Sequence, residues 1–260
     1  MRVSLIQMPI REAEPEQNSQ NVLALLETAL AEQPDVIVLP EMWNIGYALK
    51  SLADLADVNG AETKKVLGNF AKEHRVNLVA GSVATKKEQG FFNTTYVFDR
   101  NGQVINDYDK VHLFGLMAEN RFLESGNTES TFELDGIKAA SVICYDIRFP
   151  EWVRTLMTSG AKLLFVVAEW PEERVAQWEI LLRARAVENQ VFVVAVNRVG
   201  DSPSDHFSGH SLVIDPLGNI ILQAPDNQEG IFTVDIDLSE VEKIRGHIPV
   251  FDDRKPDLYR

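Results

Sequence analysis

The sequence has a single cysteine, Cys144, among its 260 residues, which excludes a framework of intramolecular disulfide bonds. Basic residues are also scarce: 25 Lys and Arg stand against 39 Asp and Glu, and the formal net charge is −14. This excess of negative charge opposes binding to nucleic-acid phosphates and to anionic lipid. No segment reaches the roughly 18 consecutive apolar residues of a membrane span. We therefore expect neither a nucleic-acid partner nor a membrane partner.

The N-terminal segment Met1–Pro9 alternates apolar and polar residues and has neither a basic start nor a central apolar stretch. It therefore predicts a first strand rather than a secretory signal peptide. The unpaired thiol favours a reducing compartment, and we expect a cytoplasmic location.

Strand and helix patterns alternate along the chain, and no linker, repeat or low-complexity segment divides it. The predicted strands are Val3–Met8, Asp35–Leu39, Asn77–Ser82, Thr94–Asp99, Val104–Lys110, Lys138–Cys144, Lys162–Ala168, Val191–Asn197, Ser211–Asp215, Ile220–Gln223 and Ile231–Ile236. The predicted helices are Ser19–Gln33, Thr63–Arg75, Glu151–Ser159 and Arg174–Asn189. This rhythm predicts one α/β domain over residues 1–260 with a mixed sheet arrangement. Residues 248–260 are expected to form an extended C-terminal arm, which crosses to a partner or covers its own sheet.

Cys144 lies where a predicted strand gives way to a segment that begins a helix after Pro150. A strand-to-helix turn exposes a side chain at the carboxyl edge of a sheet and directs free N–H groups and the helix dipole to the same place. Such a position favours a thiolate with a lowered pKa and stabilises an oxyanion. The alternative is a buried structural cysteine, because free cysteine is among the most buried residue types.

Two further charged residues stand at the ends of predicted strands. Glu41 follows the apolar run Val36–Leu39, and Lys110 ends the strand that begins at Val104. Each also has a simpler interpretation, as an acid in the first turn of a helix and as a solvated lysine, respectively. If the three strands lie side by side, Glu41, Lys110 and Cys144 form one cluster at the carboxyl edge of a sheet.

Three segments carry a resemblance to a known family. Leu39-Pro-Glu41-Met-Trp43, Tyr108-Asp-Lys110-Val-His-Leu-Phe114 and Ile143-Cys144-Tyr-Asp-Ile-Arg-Phe-Pro-Glu151 resemble the signature segments of the nitrilase superfamily, the carbon–nitrogen hydrolases. Ala168-Glu-Trp-Pro171 resembles a loop of its omega-amidase-like branch. Three ordered motifs are far more specific than any one of them. The resemblance implies a four-layer α-β-β-α sandwich, no metal or other cofactor, and a homodimer.

The resemblance also implies a role for each residue. Glu41 would be the general base, Cys144 the nucleophile that forms an acyl-enzyme, and Lys110 the cation that stabilises the oxyanion together with the backbone N–H of Tyr145. The family has a second glutamate seven residues before a glycine that closes the loop after the lysine, which corresponds to Glu119 and Gly126 here. Glu124 is the alternative to Glu119.

The expected substrate is a small linear amide, either a dicarboxylate monoamide or its 2-oxo analogue, as in the omega-amidase-like branch. Arg148 is a candidate to bind a substrate carboxylate, unless it forms a structural ion pair with Asp146 or Glu151. Trp170 is a candidate for the pocket wall, and both Trp170 and Trp178 have the alternative of simple core packing.

Several rival interpretations remain. A nitrilase or an N-carbamoyl amide hydrolase would use the same cysteine, and a nitrilase-fold binding or regulatory protein would not be an enzyme at all. A cysteine–histidine hydrolase would need His112 or His210 near the thiol. His206 and His210, with Asp205 beside them, could suggest a metal site, but the pattern contains no convincing third ligand.

Overall fold

Two β-sheets face each other across the main core, and helices cover the outer face of each sheet. The structure is a computed structural model that describes residues 1–259. Its strands are β1 (Arg2–Gln7), β2 (Val36–Val38), β3 (Asp57–Val58), β4 (Asn77–Lys87), β5 (Gly90–Phe98), β6 (Val104–Asp109), β7 (Thr131–Leu134), β8 (Ile137–Ile143), β9 (Leu163–Ala168), β10 (Phe192–Asn197), β11 (Val199–Asp201), β12 (His206–Ser208), β13 (Leu212–Ile214), β14 (Ile220–Gln223) and β15 (Gly230–Asp235).

Six α-helices and several short 3₁₀ helices connect the strands. The α-helices are α1 (Pro15–Ala29), α2 (Leu52–Leu55), α3 (Ala61–His74), α4 (Pro150–Met157), α5 (Val175–Asn189) and α6 (Ser239–His247). None of the helices within residues 1–259 is both long enough and apolar enough to cross a bilayer.

Each sheet combines parallel central strands with antiparallel edges. The first has the order β15-β1-β2-β4-β5-β6, with β3 paired to β4, and the second has the order β14-β13-β10-β9-β8-β7. β1, β2 and β4 are mutually parallel, and so are β8, β9 and β10. The three predicted strand ends do not share one sheet edge: Glu41 follows β2 and Lys110 follows β6 in the first sheet, where these strands are not neighbours, and Cys144 follows β8 in the second sheet. The expectation that the three strands lie side by side was therefore wrong.

The alternation of side chains along the strands builds the layers. On β2, Val36 and Val38 enter the core between the sheets, while Ile37 packs with α1 and α3 on the outer face. The second sheet is covered by α4 and α5, whose Leu156 and Leu182 join the main core. Because successive side chains of a strand point to opposite faces, strands that are apolar throughout are buried on both sides.

Several predicted boundaries were wrong. β4 continues to Lys87 and β5 starts at Gly90, because the two form a long hairpin whose outer half was not predicted. The short elements β3, β7, β11, β12, α2 and α6 were also missed. Such short segments have too little periodicity to be distinguished from loops.

The C-terminal segment is not an extended arm. Residues 248–259 turn back on the protein and include a 3₁₀ helix at Pro256–Leu258; Arg260, the last residue of the predicted arm, lies outside the described residues. The ring of Phe251 lies between the guanidinium groups of Arg154 and Arg245, at 5.1 and 4.8 Å. These contacts hold the segment against α4 and α6 of its own chain.

Candidate active site

Glu41 is fully buried just beyond the end of β2. The turn that carries it packs tightly on β4, where Gly81 has a φ of 60°. A Cβ atom on Gly81 would lie 2.0 Å from the carbonyl oxygen of Pro40, so only glycine fits. The main chain of β4 therefore determines where the Glu41 carboxylate is placed.

Both oxygens of the Glu41 carboxylate are held by hydrogen bonds. Oε1 accepts from Lys110 Nζ at 2.8 Å, from Asn93 Nδ2 at 2.8 Å and from the Tyr47 hydroxyl at 3.0 Å. Oε2 accepts from the backbone N–H of Glu169 at 2.7 Å. Donors from four separate segments fix the orientation of this buried carboxylate.

Lys110 is fully buried between two carboxylates. Its Nζ donates to Glu41 Oε1 at 2.8 Å and to Glu119 Oε1 at 2.7 Å. Burial alone would lower the pKa of Lys110, but the carboxylates of Glu119 and Glu41 outweigh burial and raise that pKa well above its usual value. Lys110 is therefore a permanent cation.

The second glutamate beside Lys110 is Glu119 and not Glu124. Glu119 is fully buried, and its Oε2 accepts the backbone N–H of Phe114 at 2.5 Å, whereas Glu124 is exposed. Gly126 closes this loop: its N–H donates to the carbonyl oxygen of Lys110 at 2.9 Å, and a Cβ atom there would lie 2.0 Å from the carbonyl oxygen of Asp109.

Tyr47 joins the two carboxylates and was missed by the sequence analysis. Its hydroxyl lies 3.0 Å from Glu41 Oε1 and 2.7 Å from Glu119 Oε1. Burial and these carboxylates raise the pKa of Tyr47 well above its usual value, so the hydroxyl stays protonated and remains a donor. The only available signal was a tyrosine shortly after the Glu41 segment, in a loop without periodic pattern.

Cys144 follows β8 directly and begins a 3₁₀ helix that ends at Arg148. Its φ is 47°, an unusual conformation for a residue with a side chain, and one that concentrates at functional turns. Its Sγ lies 3.9 Å from the carbonyl oxygen of Glu169. The backbone N–H of Tyr145 is in the first turn of this helix, where amides have no acceptor within the helix.

The expectation of a lowered thiol pKa was wrong. Burial and the carboxylate of Glu41 raise the pKa of Cys144 well above its usual value, and the nearby ammonium of Lys110 only partly opposes them. The helix dipole contributes little because α4 begins only at Pro150, and the dipole effect fades within the first turn. The side chain of Cys144 is therefore a neutral thiol.

Asp146 connects the turn that carries Cys144 to the segment that carries Lys110. Its Oδ2 accepts the Tyr108 hydroxyl at 2.8 Å and the Ile143 N–H at 3.0 Å. Its Oδ1 accepts the N–H of His112 at 3.0 Å and lies 2.7 Å from His112 Nδ1. His112 is thus engaged with Asp146, and the ring of His210 lies 3.3 Å from Asp226.

A pocket of about 230 Å³ opens beside Cys144, and the lining residues include Tyr145, Arg148, Trp170 and Arg174. The guanidinium of Arg148 stacks over the ring of Trp170 at 4.8 Å and donates to Gln177 at 2.6 Å. Within residues 1–259 it forms no ion pair with Asp146 or Glu151. Of the two predicted tryptophans, Trp170 lines the pocket and the buried Trp178 packs behind it, with ring centroids 5.3 Å apart.

Arg174 is a second cation in the pocket wall that sequence patterns did not indicate. It was predicted as the first residue of a helix and instead ends the 3₁₀ helix that precedes α5. Its guanidinium lies 5.6 Å from the centroid of the Phe114 ring, and its Nη1 lies 3.5 Å from the carboxylate of the exposed Glu173. Both guanidinium groups in the wall are thus without a buried anionic partner among the described residues.

Within residues 1–259, no group of three or more His, Cys, Asp or Glu side chains is arranged to hold a metal ion. The residues that surround Cys144 instead offer an acid–base pair, a fixed ammonium and backbone N–H groups. Such a set can transfer a proton from a thiol and stabilise an oxyanion.

Comparisons with known proteins agree with this chemistry. The sequence model of a family described as carbon-nitrogen hydrolase matches residues 2–246. The chain is 46% identical over 257 residues to the 2-oxoglutaramate amidase of Bacillus subtilis (strain 168), covering 99% of this chain and 98% of that protein. It is 34% identical over 255 residues to the omega-amidase YafV of Escherichia coli (strain K12), covering 97% and 96%.

A solved structure has the same fold. It is XC1258 from Xanthomonas campestris, described as a CN-hydrolase superfamily protein with an arsenic adduct in the active site. It superposes with a TM-score of 0.91 at 32% identity, covering 98% of this chain and 97% of that chain. The resemblance seen in the three sequence segments and the predicted α-β-β-α sandwich are thereby confirmed.

Proposed function

Because the chain belongs to the carbon-nitrogen hydrolase family, we propose that it is an omega-amidase, which releases ammonia from the terminal amide of short dicarboxylic or 2-oxo dicarboxylic acids. One observation carries this proposal. The fully buried Lys110 bridges Glu41 and Glu119 beside the only cysteine of the chain, at a pocket with two guanidinium groups in its wall. We further propose that residues 1–260 form a single catalytic domain.

The first half of the reaction forms a thioester. Glu41 takes the proton of the Cys144 thiol as Sγ attacks the amide carbon, and the carbonyl oxygen becomes an oxyanion. The ammonium of Lys110 and the backbone N–H of Tyr145 stabilise that oxyanion. Glu41 then returns the proton to the nitrogen as the C–N bond breaks, and ammonia leaves.

The second half restores the enzyme. Glu41 takes a proton from a water molecule, which attacks the thioester carbon, and the same two donors stabilise the second oxyanion. The C–S bond breaks, the acid leaves, and the proton returns to Sγ. Glu119 keeps Lys110 charged and directed at the oxyanion throughout, because its Oε1 lies 2.7 Å from Nζ.

The pocket supports an anionic substrate. Two guanidinium groups, those of Arg148 and Arg174, stand in its wall. We propose that Arg148 binds the far carboxylate of the substrate, because its planar guanidinium suits a bidentate carboxylate and has no anionic partner in the described structure. The ring of Trp170 packs against the guanidinium of Arg148 and holds it in place. Arg174 adds a second positive charge to the pocket wall.

The test is ammonia release from a panel of amides by the wild-type protein and by Cys144→Ala. The panel contains 2-oxoglutaramate, 2-oxosuccinamate, succinamate, glutamine, a carbamoyl amino acid and an aliphatic nitrile. We expect turnover that depends on Cys144 and favours the acidic amides. Preference for the carbamoyl compound or the nitrile would indicate the alternative enzymes, and no turnover with any compound would contradict the proposal.

We also propose a homodimer in the cytoplasm. Ile180, Val187 and Leu217 leave 67%, 49% and 60% of their surface exposed, and α5 presents the first two on the same face, two turns apart. An exposed apolar face of this kind fits an interface with a second copy. A monomeric mass by light scattering at micromolar concentration would contradict the dimer. The mechanism needs Cys144 as a thiol, which supports a reducing compartment.

A further inference from the structure

A buried ion pair lies directly behind the catalytic base. Glu169 follows β9 and Arg198 follows β10, two parallel strands that are neighbours in the second sheet. Glu169 Oε2 lies 2.8 Å from Arg198 Nη1, and the two side chains are 1% and 2% exposed. The mechanism above uses neither side chain.

The main chain of Glu169 contacts both reacting groups. Its N–H donates to Glu41 Oε2 at 2.7 Å, and its carbonyl oxygen lies 3.9 Å from Cys144 Sγ. The orientation of the Glu169 peptide therefore determines whether Oε2 of Glu41 has a hydrogen-bond donor. It also sets the polar surroundings of the thiol.

Arg198 is fixed on several sides. Its Nη2 donates to the carbonyl oxygen of Ile10 at 2.7 Å, and its guanidinium lies 4.5 Å from the centroid of the Phe207 ring. These contacts come from the segment after β1 and from β12. The carboxylate of Glu169 is thus tied to a rigid part of the protein through Arg198.

The pair is costly to bury, which suggests a purpose other than stability. Oε1 of Glu169 is buried and has no hydrogen-bond partner among residues 1–259. Burial raises the pKa of Glu169 to about 7, although Arg198 opposes the increase. An apolar residue at this position would avoid that cost.

We propose that Glu169 is a positioning residue: its carboxylate, held by Arg198, fixes the peptide whose N–H donates to Glu41. This inference rests on the role of Glu41 as the base under the proposed function, but it does not depend on the identity of the substrate. Asn197 fixes the next residue, because its side chain accepts the N–H of Trp170 at 2.7 Å. Loss of the Glu169 side chain is therefore expected to weaken the alignment and not to destroy it.

The test compares variants that separate charge from geometry. Glu169→Gln loses the charge but retains an acceptor for Arg198, whereas Glu169→Ala loses both. Glu169→Asp keeps the charge but has a shorter reach. Arg198→Met removes the anchor and changes the local charge in the opposite sense to Glu169→Ala.

The readout is the rate at which iodoacetamide alkylates Cys144, measured against pH, which requires no substrate. We expect Glu169→Ala, Glu169→Asp and Arg198→Met each to slow alkylation at neutral pH by roughly tenfold, and the acidic limb of each profile to move to higher pH. Glu169→Gln is expected to stay within about threefold of the wild type, because one neutral hydrogen bond replaces a charged one. Ammonia release with the best amide is measured in parallel.

Charged and titratable groups surround the carboxylates of both Glu41 and Glu169. Glu41 is surrounded by Tyr47, Lys110, Glu119 and Cys144. The pKa of Glu169 is affected by the charges of Arg198, Glu41 and Glu12. A purely electrostatic role would move the profiles of Glu169→Ala and Arg198→Met in opposite directions and leave Glu169→Asp unchanged. Either result would overturn the proposal, and so would equal losses in Glu169→Gln and Glu169→Ala.

Arg100→Met is the matched control. Arg100 is likewise paired with carboxylates, in this case those of Asp35 and Asp135, but it lies at the amino edge of the first sheet. Its loss is expected to lower the melting temperature and leave the alkylation profile in place. If no amide is hydrolysed, the alkylation profiles still decide the role of Glu169, so the two proposals fail separately.

Discussion

Replacing Tyr47 with phenylalanine tests whether the hydroxyl between the two carboxylates takes part in proton transfer. The hydroxyl has one hydrogen, yet Glu41 Oε1 and Glu119 Oε1 both lie within 3.0 Å of it. It therefore donates to one carboxylate at a time or is shared between them. When Glu41 takes the proton of the thiol and becomes neutral, the hydroxyl is free to donate to Glu119 alone.

The expected decrease in kcat follows from the loss of this one hydrogen-bond donor. Tyr47→Phe removes the equivalent of one hydrogen bond to a charged group, which contributes about 1.5–3 kcal/mol. If the loss is expressed fully in the transition state, kcat decreases by roughly 10- to 150-fold. KM is expected to change little, because Tyr47 is not among the residues that line the pocket.

The assay is ammonia release as a function of pH, with melting temperature measured alongside. The acidic limb of the profile is expected to move to higher pH, because a carboxylate that loses a donor is more easily protonated. Tyr96→Phe is the control: its hydroxyl is also buried but has no carboxylate partner within residues 1–259. A Tyr47→Phe enzyme with unchanged kcat and an unmoved acidic limb would refute the role assigned to this hydroxyl.

Three further outcomes are expected. Arg148→Met and Arg174→Met should each raise KM for acidic amides by roughly tenfold or more and spare neutral amides; equal effects on both substrate types would contradict carboxylate binding. Glu119→Gln should lower kcat by at least about 100-fold, because it removes a carboxylate from the buried Lys110, whereas Glu124→Gln at the surface should match the wild type in the same assay. Glu169, with a pKa of about 7 in the folded state against roughly 4.3 when unfolded, favours folding fully below pH 4.3, and this contribution is lost as pH rises through 7. The free energy of unfolding of Glu169→Gln, relative to that of the wild type, should therefore increase by on the order of 3–4 kcal/mol between pH 4 and pH 8 in urea unfolding, and no increase would show that folding does not raise the pKa of this carboxyl.

The candidate site could be predicted where local patterns place a charged side chain at the end of a strand. Glu41, Lys110 and Cys144 each follow a strand with recognisable periodicity, although β2 and β6 belong to the first sheet and β8 to the second, so the packing of the two sheets brings the three side chains together. Those three positions depend on the order of elements in the chain and on their ends. They do not depend on details of packing, which is why the sequence contains enough information to find them.

The remaining site residues depend on contacts between distant segments. Tyr47 and Glu119 are 72 positions apart in sequence, and Glu169 and Arg198 meet only because β9 and β10 are neighbours. Asn93, which donates to Glu41, fell just outside the predicted strand because the outer half of its hairpin was not recognised. No periodic pattern marks such side chains, so the assembled fold is needed to identify them.

The incorrect expectation for the thiol shows how the assembled site differs from its local motif. The strand-to-helix turn alone suggests a stabilised thiolate, but burial and the carboxylate of Glu41 dominate and keep the proton on sulfur. A neutral thiol beside a charged base is compatible with catalysis if the proton moves only when new charge forms at the substrate. Lys110 makes this timing possible. Its ammonium pairs with the carboxylates of Glu41 and Glu119 at rest and can stabilise an oxyanion as soon as one develops on the substrate. On the proposed mechanism, the proton therefore leaves the thiol only as an amide is attacked, and no free thiolate is required at rest.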